Sequence, residues 1–336
     1  MRKQEIKRVD FEHGTVYNGD ALRVLEMLRA EGVKTELVLT DPPYNINKAK
    51  WDKIRDYITW SGIWINHLQE LLKPNGSFYF FHNDMPQIAQ LMEWIRQHSR
   101  FNFNSFIVWD KNDFRAQSWK NLQPDNPLRC WFPTLEYCLF YTFHDRTGLK
   151  NVMLDVNNFK TLRDYSKQYQ AAIGLTLKQI NDVLGHSKAE HFFRWGSTQW
   201  GLCTPETYKE LEALPLVKPF KRREYEDLRR EYEDLRFTFN HLGSCKNIVK
   251  MNTVNDGSLH PTQKPLSLIE LIIRRSSKPG DLVLDPFGGS GTTAIAAINN
   301  GRRFILIEKD PRYFEIICKR IGTEGRQLKI QFKEAI

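Results

Sequence analysis

The chain has 336 residues, 41% hydrophobic and 12% aromatic, and a formal net charge of +9. That length and apolar content suit one large domain with an insertion, or two domains, and exclude global disorder. The charge suits a polyanion partner without demanding one, and no apolar run reaches membrane-spanning length. The N-terminus, MRKQEIKRVDFEHG, lacks a hydrophobic signal core, and five scattered cysteines (Cys130, Cys138, Cys203, Cys245, Cys318) form no C-x-x-C pair. A cytoplasmic enzyme or binding protein with no metal site is the default expectation.

In chain order, helical periodicity over 20–31 (DALRVLEMLRAE) precedes an apolar, β-branched run at 36–40 (ELVLT). Helix-period stretches at 57–72 and 86–98 bracket a strand-like run at 77–82, and further strand-like runs occur at 104–110 and 136–143. After a long break come a helix at 265–277, a strand at 281–285 (DLVLD), a helix at 291–300 and a strand at 303–308 (RFILIE). Strands apolar on both faces and alternating with helices predict an α/β fold around a doubly wound, mostly parallel sheet.

The break, 146–254, has no convincing buried strand, so it is expected to be a helical insertion between catalytic segments 1–145 and 255–336. Within it, 176–194 (TLKQINDVLGHSKAEHFFR) reads as helix, Gly-His-Ser turn and helix, a spacing that fits a helix-turn-helix or an ordinary helical hairpin. The unit REYEDLR occurs twice over 223–236, and 218–236 holds seven Lys/Arg against six Asp/Glu. Such a balanced helix makes a poor phosphate-binding patch and is better suited to a solvated spacer or a packing helix.

Two strand ends carry chemistry. At 37–47 (LVLTDPPYNIN) a core strand runs into Asp41, Pro42, Pro43 and Tyr44. The prolines give up two backbone donors and fix two φ angles, so the corner is stiff. At 281–294 (DLVLDPFGGSGTTA) a strand ends in Asp285 before a glycine-rich turn that opens a helix near Ser290. Glycines permit close backbone approach to a ligand, and the helix start offers unpaired N–H groups. A triphosphate loop would need G-K-[ST], which is absent here. A dinucleotide stays open, because Gly289-x-Gly291-x-x-Ala294 fits the relaxed fingerprint and Glu308 lies at a suitable distance beyond it. Asp285 favours S-adenosyl-L-methionine instead, since an acid can pair with its ammonium while Glu308 accepts from the ribose hydroxyls. In open α/β sheets ligands sit beyond the carboxyl ends of the strands, so both corners are expected to face one crevice. An amine held by Asp41 and the Pro42 carbonyl would have its lone pair localised towards a methyl donor, with Tyr44 as a stacking surface for a base.

DPPY at 41–44 together with DPFGGSGTT at 285–293 resembles the amino-methylating DNA methyltransferases that act on adenine N6 or cytosine N4. The order, with the catalytic motif first and the cofactor motif last, is similar to the circularly permuted β class of that Rossmann-like fold. HPTQKP at 260–265 resembles the class's additional cofactor motif, and NGDAL at 18–22 resembles its segment beside the cofactor's adenine. By this resemblance Asp41, Pro42, Pro43 and Tyr44 form the catalytic loop. Asp285, Phe287, Gly288, Gly289, Ser290, Gly291 and Thr292 form the methionine-binding loop, and Glu308 is the ribose acid. Asp20, Thr262 and Lys264 are further cofactor contacts, and His260 is read as a capping or turn residue. By position 146–254 is the target recognition region. The implied reaction is methyl transfer from S-adenosyl-L-methionine to the N6 of an adenine flipped out of double-stranded DNA. Cytosine N4, RNA adenine or a protein amide are the competing substrates, and a DNA-binding regulator that kept the fold is the non-enzymatic alternative. A second copy of the chain and a cognate restriction endonuclease are the partners the resemblance suggests beside DNA.

Overall fold

The computed structural model describes residues 6–48, 50–111, 134–143, 159–197, 199–235, 246–253 and 263–333. The chain opens with β1 (Lys7–Phe11), β2 (Gly14–Asn18), α1 (Ala21–Ala30), β3 (Thr35–Thr40), α2 (Tyr57–Leu71) and β4 (Leu72–His82). After these come α3 (Met85–His98), β5 (Asn102–Asp110) and β6 (Leu135–Thr142). Five helices are next: α4 (Lys160–Ile173), α5 (Leu177–Leu184), α6 (Glu190–Phe193), α7 (Pro205–Glu212) and α8 (Tyr225–Leu235). The last elements are β7 (Ile248–Lys250), α9 (Leu266–Ser276), β8 (Leu282–Asp285), α10 (Thr292–Asn299), β9 (Arg303–Glu308) and α11 (Pro311–Lys333). Two compact units result, one of Met1–Thr147 with Thr238–Ile336, the other of Gly148–Phe237.

In the first unit nine strands of the described residues form one sheet in the order β1-β2-β9-β8-β3-β4-β6-β5-β7. The run from β2 to β4 is parallel throughout, while β1, β6 and β5 add antiparallel pairings and β7 pairs parallel with β5. Strand alternation sorts the core into two layers. Leu37, Leu39, Tyr79, Phe81, Val283 and Leu306 pack with Leu268 and Ile272 of α9, Ala294 of α10 and Ile317 of α11. Val38, Phe78, Phe80, Leu284 and Ile307 pack on the other face with Leu25 of α1, Trp64 of α2 and Leu91 of α3. Each strand therefore needs apolar side chains at odd and even positions alike, which is the pattern of a sheet covered on both sides.

The chain leaves β3 through α2 to reach β4, and leaves β8 through α10 to reach β9. These crossovers lie on opposite faces, so the sheet's topological switch falls between the neighbours β3 and β8, where open α/β sheets bind their ligands. Three strands escape the apolar-run signal. β1 and β2 form a hairpin on the sheet's edge, where β1 is largely solvent-facing. β7 is three residues long and lies within the stretch expected to be all insertion, yet it joins the sheet through β5.

The second unit has its own core of Leu162, Tyr169, Ile180, Phe192, Trp200, Tyr208 and Leu228. A reciprocal capping box between Thr176 and Gln179 starts α5, and Gly185 in the left-handed region ends it. The second helix expected in 176–194 is a single turn, because Phe192 and Phe193 are drawn into the core and the helix ends at Arg194. The repeated heptads form α8, which buries Leu228 and carries i,i+3 pairs Arg229–Glu226 and Arg230–Asp227 on its exposed side.

Gly14 lies opposite Phe304 in the β2–β9 ladder, and a Cβ there would come 2.1 Å from the Phe304 carbonyl oxygen. Gly14→Ala is expected to cost about 1–3 kcal/mol in urea unfolding. A loss below ~0.5 kcal/mol would mean that the hairpin and β9 separate freely.

Candidate active site

β3 is buried along its whole length and delivers Asp41-Pro42-Pro43-Tyr44 to the switch point. The loop beyond Tyr44 needs the left-handed region at Asn45 (φ 56°) and Asn47 (φ 59°), a conformation asparagine tolerates better than most residues. Asp52, 1% exposed, holds this loop by accepting from the backbone N–H groups of Asn45, Ile46 and Lys48 at 2.7, 3.1 and 3.0 Å. The corner is pinned from behind as well. Asp84 N–H donates to Nδ1 of His82, so the remaining nitrogen, Nε2, carries the ring proton and donates to the Tyr57 hydroxyl 3.0 Å away. Tyr57 in turn donates to the Pro43 carbonyl at 2.8 Å. Burial lowers His82 to about 4, in keeping with a neutral ring. Gln87 donates to the Tyr44 carbonyl at 3.0 Å, whereas among the described residues nothing donates to the carbonyl of Pro42.

The side chains of the corner meet a cluster of charges. Lys264 Nζ lies 2.6 Å from Oδ2 of Asp41 and 2.8 Å from Oε1 of Glu136, and Lys111 Nζ lies 2.8 Å from Oε2 of Glu136. The Tyr44 hydroxyl is 2.6 Å from Oδ1 of Asp41 and 2.7 Å from Oε1 of Glu136. With one proton it donates to one carboxylate at a time. Burial raises the Asp41 carboxyl, with the Lys264 ammonium opposing it. Burial also acts to raise Glu136, but Lys264 and Lys111 outweigh it and bring Glu136 down to about 2. The Tyr44 ring stacks on His82 with centroids 4.7 Å apart, so any platform it offers a base is limited to the other face.

The second corner is next door. Thr40, the residue before Asp41, donates its hydroxyl to Oδ1 of Asp285 at 2.7 Å. Thr293 donates to Oδ2 at 2.7 Å and the Phe287 N–H to Oδ1 at 3.0 Å. The turn runs through Gly289 (φ 54°) and Gly291 (φ 81°), conformations that a Cβ would strain. Glu308, at the end of β9, accepts from the N–H groups of Gly289 and Asp310 at 2.9 and 2.7 Å. Burial, partly offset by these donors, raises Asp285 to about 6 and Glu308 to about 7. Neither carboxylate has a cationic partner among the described residues. A buried and a half-buried acid left in that state fit a ligand bearing an ammonium group and hydroxyls, which are the recognition groups of S-adenosyl-L-methionine.

One cavity of about 520 Å³ joins the corners, well inside the range of roughly 300–1,000 Å³ for small-molecule sites. Asp20, Asp41, Pro42, Pro43, Tyr44, Lys264, Asp285, Phe287, Gly288, Gly289, Ser290, Thr292 and Glu308 all line it. Gly291 is set back as the N-cap of α10, and Asp20 caps α1 and pairs with Lys309 at 2.9 Å. Thr262 and His260 lie outside the described residues. The motif resemblance puts Lys264 at the cofactor, but its ammonium sits between Asp41 and Glu136. Sequence reasoning missed Glu136, Lys111, Asp52, Tyr57 and His82. The one usable signal was Glu136, an acid at one end of a buried strand just as Asp41 and Asp285 are.

A family model described as DNA methylase, of the N6/N4 methyltransferases, matches residues 35–319. The type II methyltransferase M2.DpnII of Streptococcus pneumoniae is 54% identical over 329 residues, covering 92% of this chain and 89% of its own. The DNA adenine methyltransferase YhdJ of Escherichia coli (strain K12) is 28% identical over 328 residues, covering 95% and 86%. Among solved structures the cytosine-N4-specific PvuII DNA methyltransferase superposes with a TM-score of 0.52 at 16% identity, over 94% of this chain and 93% of that one, a likeness of fold. The chain belongs to the N6/N4 DNA methylase family and is a DNA methyltransferase whose methyl donor is S-adenosyl-L-methionine.

Proposed function

We propose that the enzyme methylates the exocyclic N6 of adenine in duplex DNA, with the target base turned out of the helix into the cavity. The observation that carries this reading is the shared cavity, which Asp41 and Pro42 line together with Asp285 and Glu308. Adenine rather than cytosine is supported by Asp41 at the first motif position and by similarity along 95% of the chain to a relative named as a DNA adenine methyltransferase. Flipping is required because the amine of a stacked base cannot reach a buried donor. Relatives named type II methyltransferases support a restriction–modification setting with a cognate endonuclease. The unit Gly148–Phe237, which has a core of its own and carries none of the motifs, is the proposed target recognition region.

When bound, S-adenosyl-L-methionine supplies an electrophilic methyl group and leaves as a neutral thioether. The chain's part is to hold the amine. Asp41 accepts from one N–H and the Pro42 carbonyl from the other, which pyramidalises the nitrogen and frees its lone pair. As the new N–C bond forms, the surplus proton on nitrogen passes to the carboxylate of Asp41, which burial makes a better base than an exposed aspartate. Asp285 and Glu308 hold the two ends of the donor, and Phe287, packed on Trp60 and Trp64, fixes the turn between them.

Asp41→Ala is expected to abolish methyl transfer while binding of S-adenosyl-L-methionine persists within about threefold by calorimetry. Near-normal turnover in this variant would remove Asp41 from the chemistry. Nucleoside mass spectrometry of treated duplex DNA should show N6-methyladenine; N4-methylcytosine, or methyl transfer to RNA or protein alone, would replace the present reading. 2-Aminopurine at the target position should brighten on binding, and no rise at saturating protein would count against flipping. Cofactor affinity should also depend on pH. Asp285 near 6 and Glu308 near 7 must lose their protons to bind a cation and a diol, so affinity is expected to weaken roughly tenfold or more from about pH 8 to about pH 5.5. The ligand-free protein goes the other way. Raised folded-state values contribute stability at low pH that is lost as pH rises through about 6 and about 7. A flat affinity over this range would separate both acids from the cofactor.

A further inference from the structure

We propose that Lys264 and Glu136 are positioning residues for methyl transfer: Glu136 anchors the Lys264 ammonium beside Asp41, which keeps that carboxylate charged and aimed while leaving it free to accept from the incoming amine. The inference rests on the role proposed for Asp41 in holding that amine. A half-buried acceptor such as Asp41, its side chain 25% exposed, faces opposed demands. A carboxylate alone in this crevice would take up a proton and lose its capacity to accept. A lysine paired with it alone would restore the charge but occupy the acceptor. The structure meets both demands by giving Lys264 two anions, Asp41 Oδ2 at 2.6 Å and Glu136 Oε1 at 2.8 Å, with Lys264 and Glu136 each only 6% exposed. Lys111 balances the second anion from its far side at 2.8 Å. When an amine takes a place at Asp41, Lys264 keeps a full counter-charge in Glu136 and need not leave the site.

Among the other titratable groups near Asp41, the Tyr44 hydroxyl lies 2.6 Å from Oδ1 of Asp41 and 2.7 Å from Oε1 of Glu136. When it donates to Asp41 it acts in the same direction as Lys264, and the rest leave the balance as it is. Tyr44 and His82 are neutral, since burial raises the phenol and lowers the imidazole. Lys48, from the same loop, has its ammonium disfavoured by burial and by Lys111 and Lys264. Asp285 lies one hydrogen bond from Thr40 and is cancelled when a cationic ligand is bound. Lys264 thus acts to lower the pKa of Asp41 and Glu136 acts to raise it, and the two effects have opposite signs.

Opposite signs make the test. Single-turnover transfer of labelled methyl from S-adenosyl-L-methionine to genomic DNA from a host without adenine methylation is followed against pH, with cofactor affinity and thermal melting measured alongside. Lys264→Met should move the acidic limb of the rate profile up by roughly one to three units, with activity partly recovered at high pH. Glu136→Gln should move the same limb down and lower the plateau, because Lys264 then pairs with Asp41 alone. Lys264→Arg should hold the wild-type limb, and none of the three should change cofactor affinity more than about threefold. If Lys264→Met does not fold, the direction of the Glu136→Gln displacement decides. Limbs that stay put, or move together, would overturn the assignment, as would a loss of cofactor affinity that puts Lys264 back at the donor. A wild-type protein that transfers nothing to any duplex would overturn the reading of the reaction itself, which the variants leave separate.

Discussion

One hydrogen bond, from the Thr40 hydroxyl to Asp285, ties the two halves of the site together. Thr40 closes β3 and Asp285 closes β8, strands paired in parallel at the point where the sheet's crossovers change face. Parallel pairing puts both carboxyl ends on the same side, and the hydroxyl fixes their separation to within one contact. Everything the cavity must do depends on that spacing, since in-line transfer tolerates little misplacement between donor and acceptor. Residues separated by most of the chain become neighbours through two adjacent strands and a threonine.

The same neighbourhood sets a second constraint, the cost of buried charge. Four carboxylates at strand ends lie at or just behind the crevice, Asp285 and Glu136 buried, Asp41 and Glu308 half-buried, and they are treated differently. Asp41 and Glu136 are compensated within the protein by Lys264 and Lys111. Asp285 and Glu308 receive only neutral donors, from Thr40, Thr293 and backbone N–H groups, and burial leaves both near neutral pH. That division matches the chemistry. In the proposed reaction the substrate end needs a permanent acceptor for a neutral amine, while the cofactor end needs acids whose charge is completed by the ligand. Binding a cationic donor would therefore lower the cost of keeping these two acids charged.

Much of this was legible in the sequence where local signals coincide with fold logic. Buried runs such as ELVLT and RFILIE announce parallel strands, and acids at their ends announce a ligand crevice. The hairpin of β1 and β2 was not legible, because an edge strand with one face in water has no apolar run to mark it. β7 was missed for its length of three residues. At the site, DPPY and DPFGGSG mark the two corners, but the motif around Lys264 points to the cofactor only through its resemblance to the class's additional cofactor motif. Its side chain instead crosses to β6, and only the sheet order, with β6 beside β4, brings Glu136 there. Long-range charge pairing of this sort leaves no periodicity to read.

The stiffness of the DPPY corner also proves to be more than a property of its prolines. Two prolines restrict their own φ and the ψ of Asp41 and Pro42 before them, yet the ψ of Pro43 and Tyr44 is left free, and ψ decides where each carbonyl points. The Pro43 and Tyr44 carbonyls are oriented from outside the motif, through the chain His82 to Tyr57 to Pro43 and through Gln87 to Tyr44. Asp52 then holds the turn beyond them by three backbone donors. With its two successors pinned and Asp41 fixed by Lys264, the Pro42 carbonyl has little room to turn away. Preorganisation of the acceptor pair is thus distributed over β4, α2, α3 and the loop at Asp52, and loosening any one of these supports should weaken catalysis without touching a residue of the motif.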